Sequence, residues 1–536
     1  MADTPYNFLL IMTDQQRADH LSCYGNTVLA TPHLDRIAAS GVRFERFYVA
    51  NPVCMPNRAT LMTGRLPSNH GVRHNGLPLH PRSNTFVHLL RNAGYHTAMV
   101  GKSHLQNMGT GPGVLQKAAP SWPVRQPLEQ RWREPMLFDD NVRTDYELVP
   151  RWQEQGHVDL PRPYYGFDDV FLTIGHGDNV WGHYQQWLAA RHPQFTSLRG
   201  PHNALPAGRA LHIPQAWRTR VPEELYPTAY ITEQAVHYLE QHAAAKPHAP
   251  FFLFCSFPDP HHPFVPPGRY FDLYKPDDIP LPAAWGNAHV HTPPHMQALM
   301  EELGTPDAVR HTPVAFAVTA EETREAIALT YGMIAMIDDG VGCILDTLER
   351  LGLAEKTVVL FTSDHADLMG DQQIMLKGPY HFQGLIRVPL LVKVPGMTTG
   401  AVTHALGCTV DLAQTILHLA ALEPYHGIQG HSLVPLLTDP TATVREQLLI
   451  EDDGQHILKG TNRTIRLRTL VTPEWRLTYY DGLPFGECYN LTDDPLEHRN
   501  LWNVPEAQTT RAALHEHLLR TIIDQQDRSP LPDYRA

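Results

Sequence analysis

Cysteine is scarce in this chain of 536 residues: there are 6, at positions 23, 54, 255, 343, 408 and 488. They lie far apart, with no CxxC pair and no zinc spacing, which argues against a disulfide framework and for a reducing compartment. Long apolar runs are missing too. None approaches the roughly 20 residues needed to span a bilayer. The opening MADTPYNFLLIMTDQQ has neither a basic n-region nor a small-residue cleavage site, so it reads as a first strand rather than a signal peptide. A cytoplasmic protein without a membrane segment is expected. Positive charge is in deficit as well: 43 Lys and Arg against 56 Asp and Glu leave a net charge of −13. That balance argues against a general nucleic-acid or membrane-surface binder. An anionic substrate would need its cations gathered locally. The chain contains no internal repeat and no low-complexity tract.

What the chain does have is size and rhythm. Its 536 residues exceed what one hydrophobic core usually serves, and 42% hydrophobic content is ordinary for a globular protein. NFLLIMTD (7–14) precedes a helix-like PHLDRIAASG (32–41), and NTFVHLLRNAG (84–94) precedes HTAMVGK (96–102), with Gly94 a plausible C-cap. Helix-like stretches at 228–245 and 324–352 precede PFFLFCSF (250–257) and KTVVLFTSD (356–364), and VPLLVKVPG (388–396) is a further strand-like run. Strands hydrophobic on both faces, separated by helices, indicate an α/β fold with a large, mostly parallel sheet sandwiched by helices.

Residues 105–225 and 285–315 break this rhythm and read as insertions that wall a pocket or build a subunit contact. A main domain over 1–440 is expected. Beyond it, strand-like pieces at 463–471 and 475–482 and a helix near 505–527 make a smaller C-terminal α+β subdomain over 441–536. Chain size and the aromatics of the inserted stretches point to a homo-oligomer.

In open parallel sheets, ligands bind outside the carboxyl ends of the strands. There the pattern delivers Asp14 and Gln15, Lys102 with His104 beyond it, His261 and His262, and Asp364 and His365. Each alone has an ordinary reading, as a turn cap, a satisfied histidine or a solvated lysine. Four strands that place polar groups on one edge favour a site. Asp14, Gln15, Asp364 and His365 offer three oxygen donors and one nitrogen donor. Such a set suits one divalent metal ion, Ca2+ or Mn2+, rather than thiolate-bound zinc. Lys102, His104, His261 and Lys377 would give a tetrahedral anion cationic donors from several directions.

The stretch NPVCMPNRATLMTGR (51–65) places Cys54 before a short helix that starts around Pro56 and ends at Gly64. A helix N-terminus stabilises negative charge, and Arg58 lies one turn away on the same face. Cys54 is thus open to three readings: a buried small hydrophobe, a thiolate nucleophile, or raw material for a modified residue. No local signature of a Cys/His/Asn partnership supports the second.

With Thr63-Gly64-Arg65 behind it, the C-x-P-x-R motif of Cys54, Pro56 and Arg58 resembles that of the formylglycine-dependent sulfatases of the alkaline phosphatase superfamily. The resemblance runs along nearly the whole chain, through TDQQ (13–16), ATPHLDRIAASGVRF (30–44), GVRHNG (71–76), GKSHL (101–105), TSDHADLMGD (362–371), RVPLLVKVPG (387–396), GHSLVPLL (430–437) and YNLTDDPLEHRNL (489–501). It implies an alkaline phosphatase-like fold. It also implies that a separate formylglycine-generating enzyme oxidises Cys54 to Cα-formylglycine, whose hydrate attacks sulfur or phosphorus.

Carried over by position, the resemblance makes Asp14, Gln15, Asp364 and His365 metal ligands, joined by an oxygen of the modified Cys54. Arg58 would fix and polarise the nucleophile, Lys102 and Lys377 would hold substrate oxygens, and Asn75 would contact substrate or nucleophile. His104 would assist the second step. His261 would protonate the leaving group, with His262 the competing candidate.

The pairs Asp14-Gln15 and Asp364-His365 look like those of the bacterial phosphonate monoester hydrolase and phosphodiesterase branch. Lys102 and His104 instead favour sulfate esters. The expected protein is an arylsulfatase-type hydrolase of small sulfate esters, promiscuous toward phosphate diesters and phosphonate monoesters. The alternatives are a primary phosphonate monoester hydrolase or phosphodiesterase, and a non-catalytic anion-binding homologue with an unmodified Cys54.

Overall fold

The computed structural model describes residues 5–111, 122–123, 125, 142–286, 291–305, 310 and 314–532. The strand-like runs meet in one nine-stranded sheet. Its first members in chain order are β1 (Asn7–Thr13), β2 (Val42–Tyr48), β3 (His96–Lys102), β4 (Asp169–Ile174), β5 (Trp181–Gly182) and β6 (Phe251–Ser256). A separate two-stranded piece pairs β7 (Phe316–Ala317) with β9 (Ile374–Met375), while β8 (Thr357–Ser363), β10 (Leu390–Lys393) and β11 (Ala401–Cys408) complete the large sheet. Across the sheet the order is β11-β2-β10-β8-β1-β6-β3-β4-β5.

Strand β1 sits centrally and reads NFLLIMT because both of its faces are covered. Phe8, Leu10 and Met12 enter one core and Leu9 and Ile11 the other, as the two-residue period of a strand requires. Helices Pro32–Ala39, Pro227–Ala245 and Ala320–Arg350 cover one face; Cys54–Thr63, Phe86–Asn92 and Asp411–Leu419 cover the other. Ala320–Arg350 is long and apolar enough to cross a membrane, yet 83% of its apolar window is buried inside the protein. It is a core helix.

Two readings of the sequence need correction. VPLLVKVPG does not continue the parallel alternation: β10 pairs antiparallel with both β8 and β2. The chain leaving β8 stays at the carboxyl edge of the sheet, where it carries Asp364, His365 and Lys377. It therefore re-enters from that edge and must run backward. A hydrophobic run carries no sign of its direction. Nor is the stretch 105–225 wholly an insertion, because β4 within it pairs parallel with β3 from Ala98–Asp169 to Lys102–Thr173. Of the expected insertions at 105–225 and 285–315, residues 112–121, 124, 126–141, 287–290, 306–309 and 311–313 lie outside the described residues. Strand β2 carries no plain strand pattern in the sequence, because Arg43, Glu45 and Arg46 interrupt its apolar positions.

The C-terminal part forms an antiparallel sheet, β12 (Leu448–Ile457), β13 (Thr464–Val471), β14 (Trp475–Tyr480) and β15 (Gly486–Asn490), followed by helix Gln508–Asp524. Fully buried Arg476 holds it together. Its Nη2 is 2.8 Å from Glu487, its Nε donates to Glu497, and its guanidinium lies 4.6 Å from the centre of the Tyr489 ring. Glu497 also accepts the backbone N–H of Gln383 at 2.7 Å, which ties this sheet to the main domain.

One guanidinium cannot neutralise two buried carboxylates. Burial pushes Glu497 up to about 7 in spite of Arg476, whereas at Glu487 burial is outweighed by Arg476, His295 and Tyr480 together. Arg476→Met should therefore cost about 3–5 kcal/mol, read as a lower denaturant midpoint at unchanged m. The proton on Glu497 stabilises the fold fully below the ordinary glutamate pKa, and that share is lost as pH rises through about 7. Glu497→Gln should flatten the fall in unfolding free energy over that window.

Candidate active site

The carboxyl edge of the sheet gathers groups from four neighbouring strands. Parallel register sets Thr13 beside Ser363, so Asp14 and Asp364 leave their strands side by side. The chain locks them there: the N–H of Asp364 donates to Thr13 O at 3.1 Å and the N–H of Gln15 to Asp364 Oδ1 at 3.2 Å. Gln15 adopts a left-handed φ of +65° to do so, a conformation that costs a non-glycine residue free energy and marks functional loops. Lys102 closes β3, and the segment after β6 carries His261 and His262.

Ligating atoms of Asp14, Cys54, Asp364 and His365 all lie within 4.8 Å of one another, and all four residues are buried. Two further observations fit a cation in their midst. His365 Nδ1 faces the Ala366 carbonyl at 2.8 Å, which puts the proton there and leaves the Nε2 lone pair for the cluster. The Nε2 of Gln15 donates to Asp367 Oδ2 at 2.5 Å, while its Oε1 is buried without a hydrogen-bond partner. An orphaned amide oxygen beside two carboxylates and an imidazole is a donor set for one hard divalent ion.

Cys54 is the first residue of helix Cys54–Thr63. Its Sγ is 3.1 Å from His365 Nε2 and 3.1 Å from Lys377 Nζ. Burial and Asp14 push the thiol up, but Lys377, Lys102 and His365 outweigh them and leave it lowered. The helix start is pinned from outside: Asn75 Oδ1 accepts the N–H of Met55 at 3.1 Å. Arg58, one turn in, aims at the cluster. Its Nε donates to Asp364 Oδ2 at 2.7 Å, and its Nη1 to Lys102 O and Ser256 Oγ, both at 2.9 Å.

Cations face this centre. Lys102 Nζ donates to Asp14 and lies 2.7 Å from His176 Nε2. Burial opposes ionisation of Asp14, yet the cations beside it, Lys102 foremost and Arg58 with it, hold its carboxyl well below the usual range. Lys377 Nζ is 3.0 Å from His261 Nε2 and 2.9 Å from His365 Nε2. His104 is buried in a left-handed conformation (φ +55°), its Nδ1 without a partner; burial, Lys102 and Arg58 depress its pKa well below the ordinary value. His262 Nδ1 turns instead to Gln15 Nε2, at 3.1 Å.

Asp14, His176 and His261 form a second cluster of ligating atoms within 4.8 Å. The Lys102 ammonium already sits among them, so a second metal ion would have to displace it. A cavity of about 280 Å³ opens beside the centre, lined by Asn75, Lys377, His74, Leu299, Tyr380 and Ile457.

The structure thus brings every residue expected from the sequence to one place. It adds others. Asn57 donates to Asp364 O and accepts from Ala50 N at 3.1 Å, joining the helix to the metal-side loop. Asp367 Oδ1 accepts the N–H groups of Met369 at 2.7 Å and Leu376 at 2.8 Å, shaping the loop that delivers Lys377. Ser256 steadies Arg58, and His176 comes from GHGDNVWGHYQQW (175–187), which by sequence is a plausible pocket or interface segment without a role for its histidine.

Against known proteins, a family model described as "Sulfatase" matches residues 6–422. The chain belongs to the sulfatase family. A second model, "N-sulphoglucosamine sulphohydrolase, C-terminal", matches residues 377–524. The sulfatase is 28% identical to an arylsulfatase of Clostridium perfringens, over 96% of this chain and 94% of the relative. It is 26% identical to the multifunctional alkaline phosphatase superfamily protein PehA of Trinickia caryophylli, over 94% and 92%. Among solved structures it is similar to the phosphonate monoester hydrolase of Agrobacterium radiobacter, with a TM-score of 0.76, 26% identity and coverage of 98% and 97%. The sulfatase is accordingly a sulfuric ester hydrolase on an alkaline phosphatase-like fold.

Proposed function

We propose that this sulfatase hydrolyses aryl sulfate esters using one divalent cation and a formylglycine made from Cys54, with side activity toward phosphate diesters and phosphonate monoesters. The observation that carries the reading is the position of Cys54: Sγ stands among Asp14, Asp364, His365 and Lys377 at the start of a helix. Asp14, Gln15, Asp364, His365 and residue 54 would hold the cation, which would polarise the ester, and the hydrated formylglycine at residue 54 would supply the hydroxyl nucleophile. Ca2+ and Mn2+ both suit these ligands. Because Cys54 is buried, at 1% exposure, its oxidation by a formylglycine-generating enzyme must precede folding.

The chain's own groups do the rest. Lys102 and Lys377 donate to the peripheral oxygens, where charge shifts as the ester bond breaks. His261 Nδ1 faces the carbonyl of His262 at 2.5 Å, which fixes its tautomer and leaves Nε2 toward Lys377. The proton shared along Lys377 and His261 is the one for the leaving oxygen. His104, neutral and without a partner for Nδ1, is the proton acceptor on the Lys102 side. Aryl sulfates, phosphate diesters and phosphonate monoesters all present a tetrahedral monoanion, so one set of donors serves the three.

On protein whose Cys54 conversion and metal content are both measured, kcat/KM for an aryl sulfate should exceed that for the matched aryl phosphonate monoester. The reverse preference would make phosphonate or diester hydrolysis the primary activity. Intact Cys54 thiol in native protein, found by peptide mass spectrometry together with no hydrolysis, would leave an anion-binding protein instead.

A further inference from the structure

We propose that His176 is a positioning residue of the reaction, holding the Lys102 ammonium between Asp14 and the substrate and fixing the face of His261. The inference rests on the hydrolytic reading above.

His176 Nε2 is 2.7 Å from Lys102 Nζ. An ammonium has no lone pair, so Nζ donates and Nε2 accepts, which puts the imidazole proton on Nδ1. Of the three Lys102 hydrogens one then goes to Asp14 and one to His176. Among the described residues no other partner engages Nζ, so the third is available to a substrate oxygen. Without the His176 acceptor, a flexible four-carbon stem tethered only by Asp14 would sweep a cone of positions, and the oriented donor would be lost.

The ring does a second job. It stacks on His261 with centroids 3.8 Å apart and planes 15° from parallel, and His261 stacks in turn on His262 at 4.0 Å. His261 is thereby gripped on both faces while Nε2 points to Lys377.

The backbone is built to deliver this one side chain. His176 lies between Gly175 (φ +107°) and Gly177 (φ +55°), both in the left-handed region. A Cβ on Gly175 would come within 2.5 Å of the Asn179 carbonyl oxygen, and one on Gly177 within 2.8 Å of Pro263 and Val265. The turn is pressed against the very segment that carries His261. Only glycine at both flanks permits that approach.

Three substitutions separate the two jobs. His176→Gln keeps an acceptor for Lys102 but no ring; His176→Phe keeps the ring but no acceptor; His176→Ala keeps neither. For the alanine variant kcat/KM should fall about 10–100-fold, the usual cost of losing an outer partner of a working group, chiefly through kcat. The glutamine variant should stay within a few-fold of the unmutated protein and the phenylalanine variant should resemble alanine. Calorimetric Kd for inorganic sulfate should weaken in the alanine and phenylalanine variants and hold in the glutamine variant. Melting temperature, metal content and Cys54 conversion serve as controls, and the glutamine variant tests the idea even where alanine fails to fold.

An alanine variant within twofold of the unmutated protein would overturn the proposal, as would phenylalanine matching glutamine in both readouts. The comparison is run on whichever of the matched sulfate and phosphonate esters the unmutated protein cleaves faster. Failure of the sulfate reading therefore leaves the His176 test intact.

Discussion

Cys54→Ala should fold, bind its metal more weakly and lose turnover by on the order of 10⁵-fold or more, the scale seen when a nucleophile is removed. Folding survives because the substitution deletes a single buried atom, worth about 1 kcal/mol on the scale of ordinary point mutants. The surroundings that define the helix start remain: Asn75 still accepts from Met55, and Asn57 still bridges Ala50 and Thr409. Activity does not survive, because nothing else in the cluster can form a covalent link to the ester. Among the described residues, Lys377 Nζ and His365 Nε2 are the polar groups at 3.1 Å from Sγ, and both serve as donors or ligands. Circular dichroism, metal analysis and turnover on one preparation test this together. Retained hydrolysis in a folded Cys54→Ala protein would remove residue 54 from the mechanism.

Asp364→Ala should be worse for the protein as a whole. Asp364 Oδ2 receives Arg58 Nε at 2.7 Å, and Oδ1 receives the backbone N–H groups of Gln15 at 3.2 Å and His365 at 2.8 Å. Deleting the carboxylate removes one proposed metal ligand and orphans three donors, one of them a guanidinium with 1% exposure. Leaving a buried charge unpaired costs about 3–5 kcal/mol, so metal content, melting temperature and activity should fall together. Asp364→Asn keeps an acceptor and should recover most of the melting temperature but not the metal. Elemental analysis of dialysed protein decides the matter: a full metal complement in Asp364→Ala would show that the ion lies elsewhere.

Much of this site could be read before any fold was known, for physical reasons that apply residue by residue. Asp14 and Asp364 each follow an apolar run, and the end of a buried strand is where a polar residue first meets a cleft. Cys54 precedes a proline and an arginine at the spacing of one helical turn, a purely local relation that survived unchanged in helix Cys54–Thr63. The helices at 32–39, 86–92, 227–245 and 320–350 were legible because their apolar positions repeat with helical period. The strands β2, β4 and β11 were not. They are short, interrupted by charge or half-exposed, and membership of a sheet depends on the neighbour that pairs with them.

His176 shows the boundary most sharply. Its flanking glycines were visible, but its value lies in a 2.7 Å contact with Lys102, some seventy positions away in sequence, and in a stack on His261. Asn57 and Asp367 are similar cases: a polar residue one or two places from a named one, whose partner is set by the fold. Local pattern carries the chemistry: which residues can ligate, donate or be oxidised, and that they stand at strand ends and a helix start. The direction of β10, the place of β4 in the sheet, and which of those groups share a hydrogen bond arise from pairing in three dimensions. The reason is that hydrophobic periodicity reports burial along one chain segment, whereas register and direction are properties of pairs.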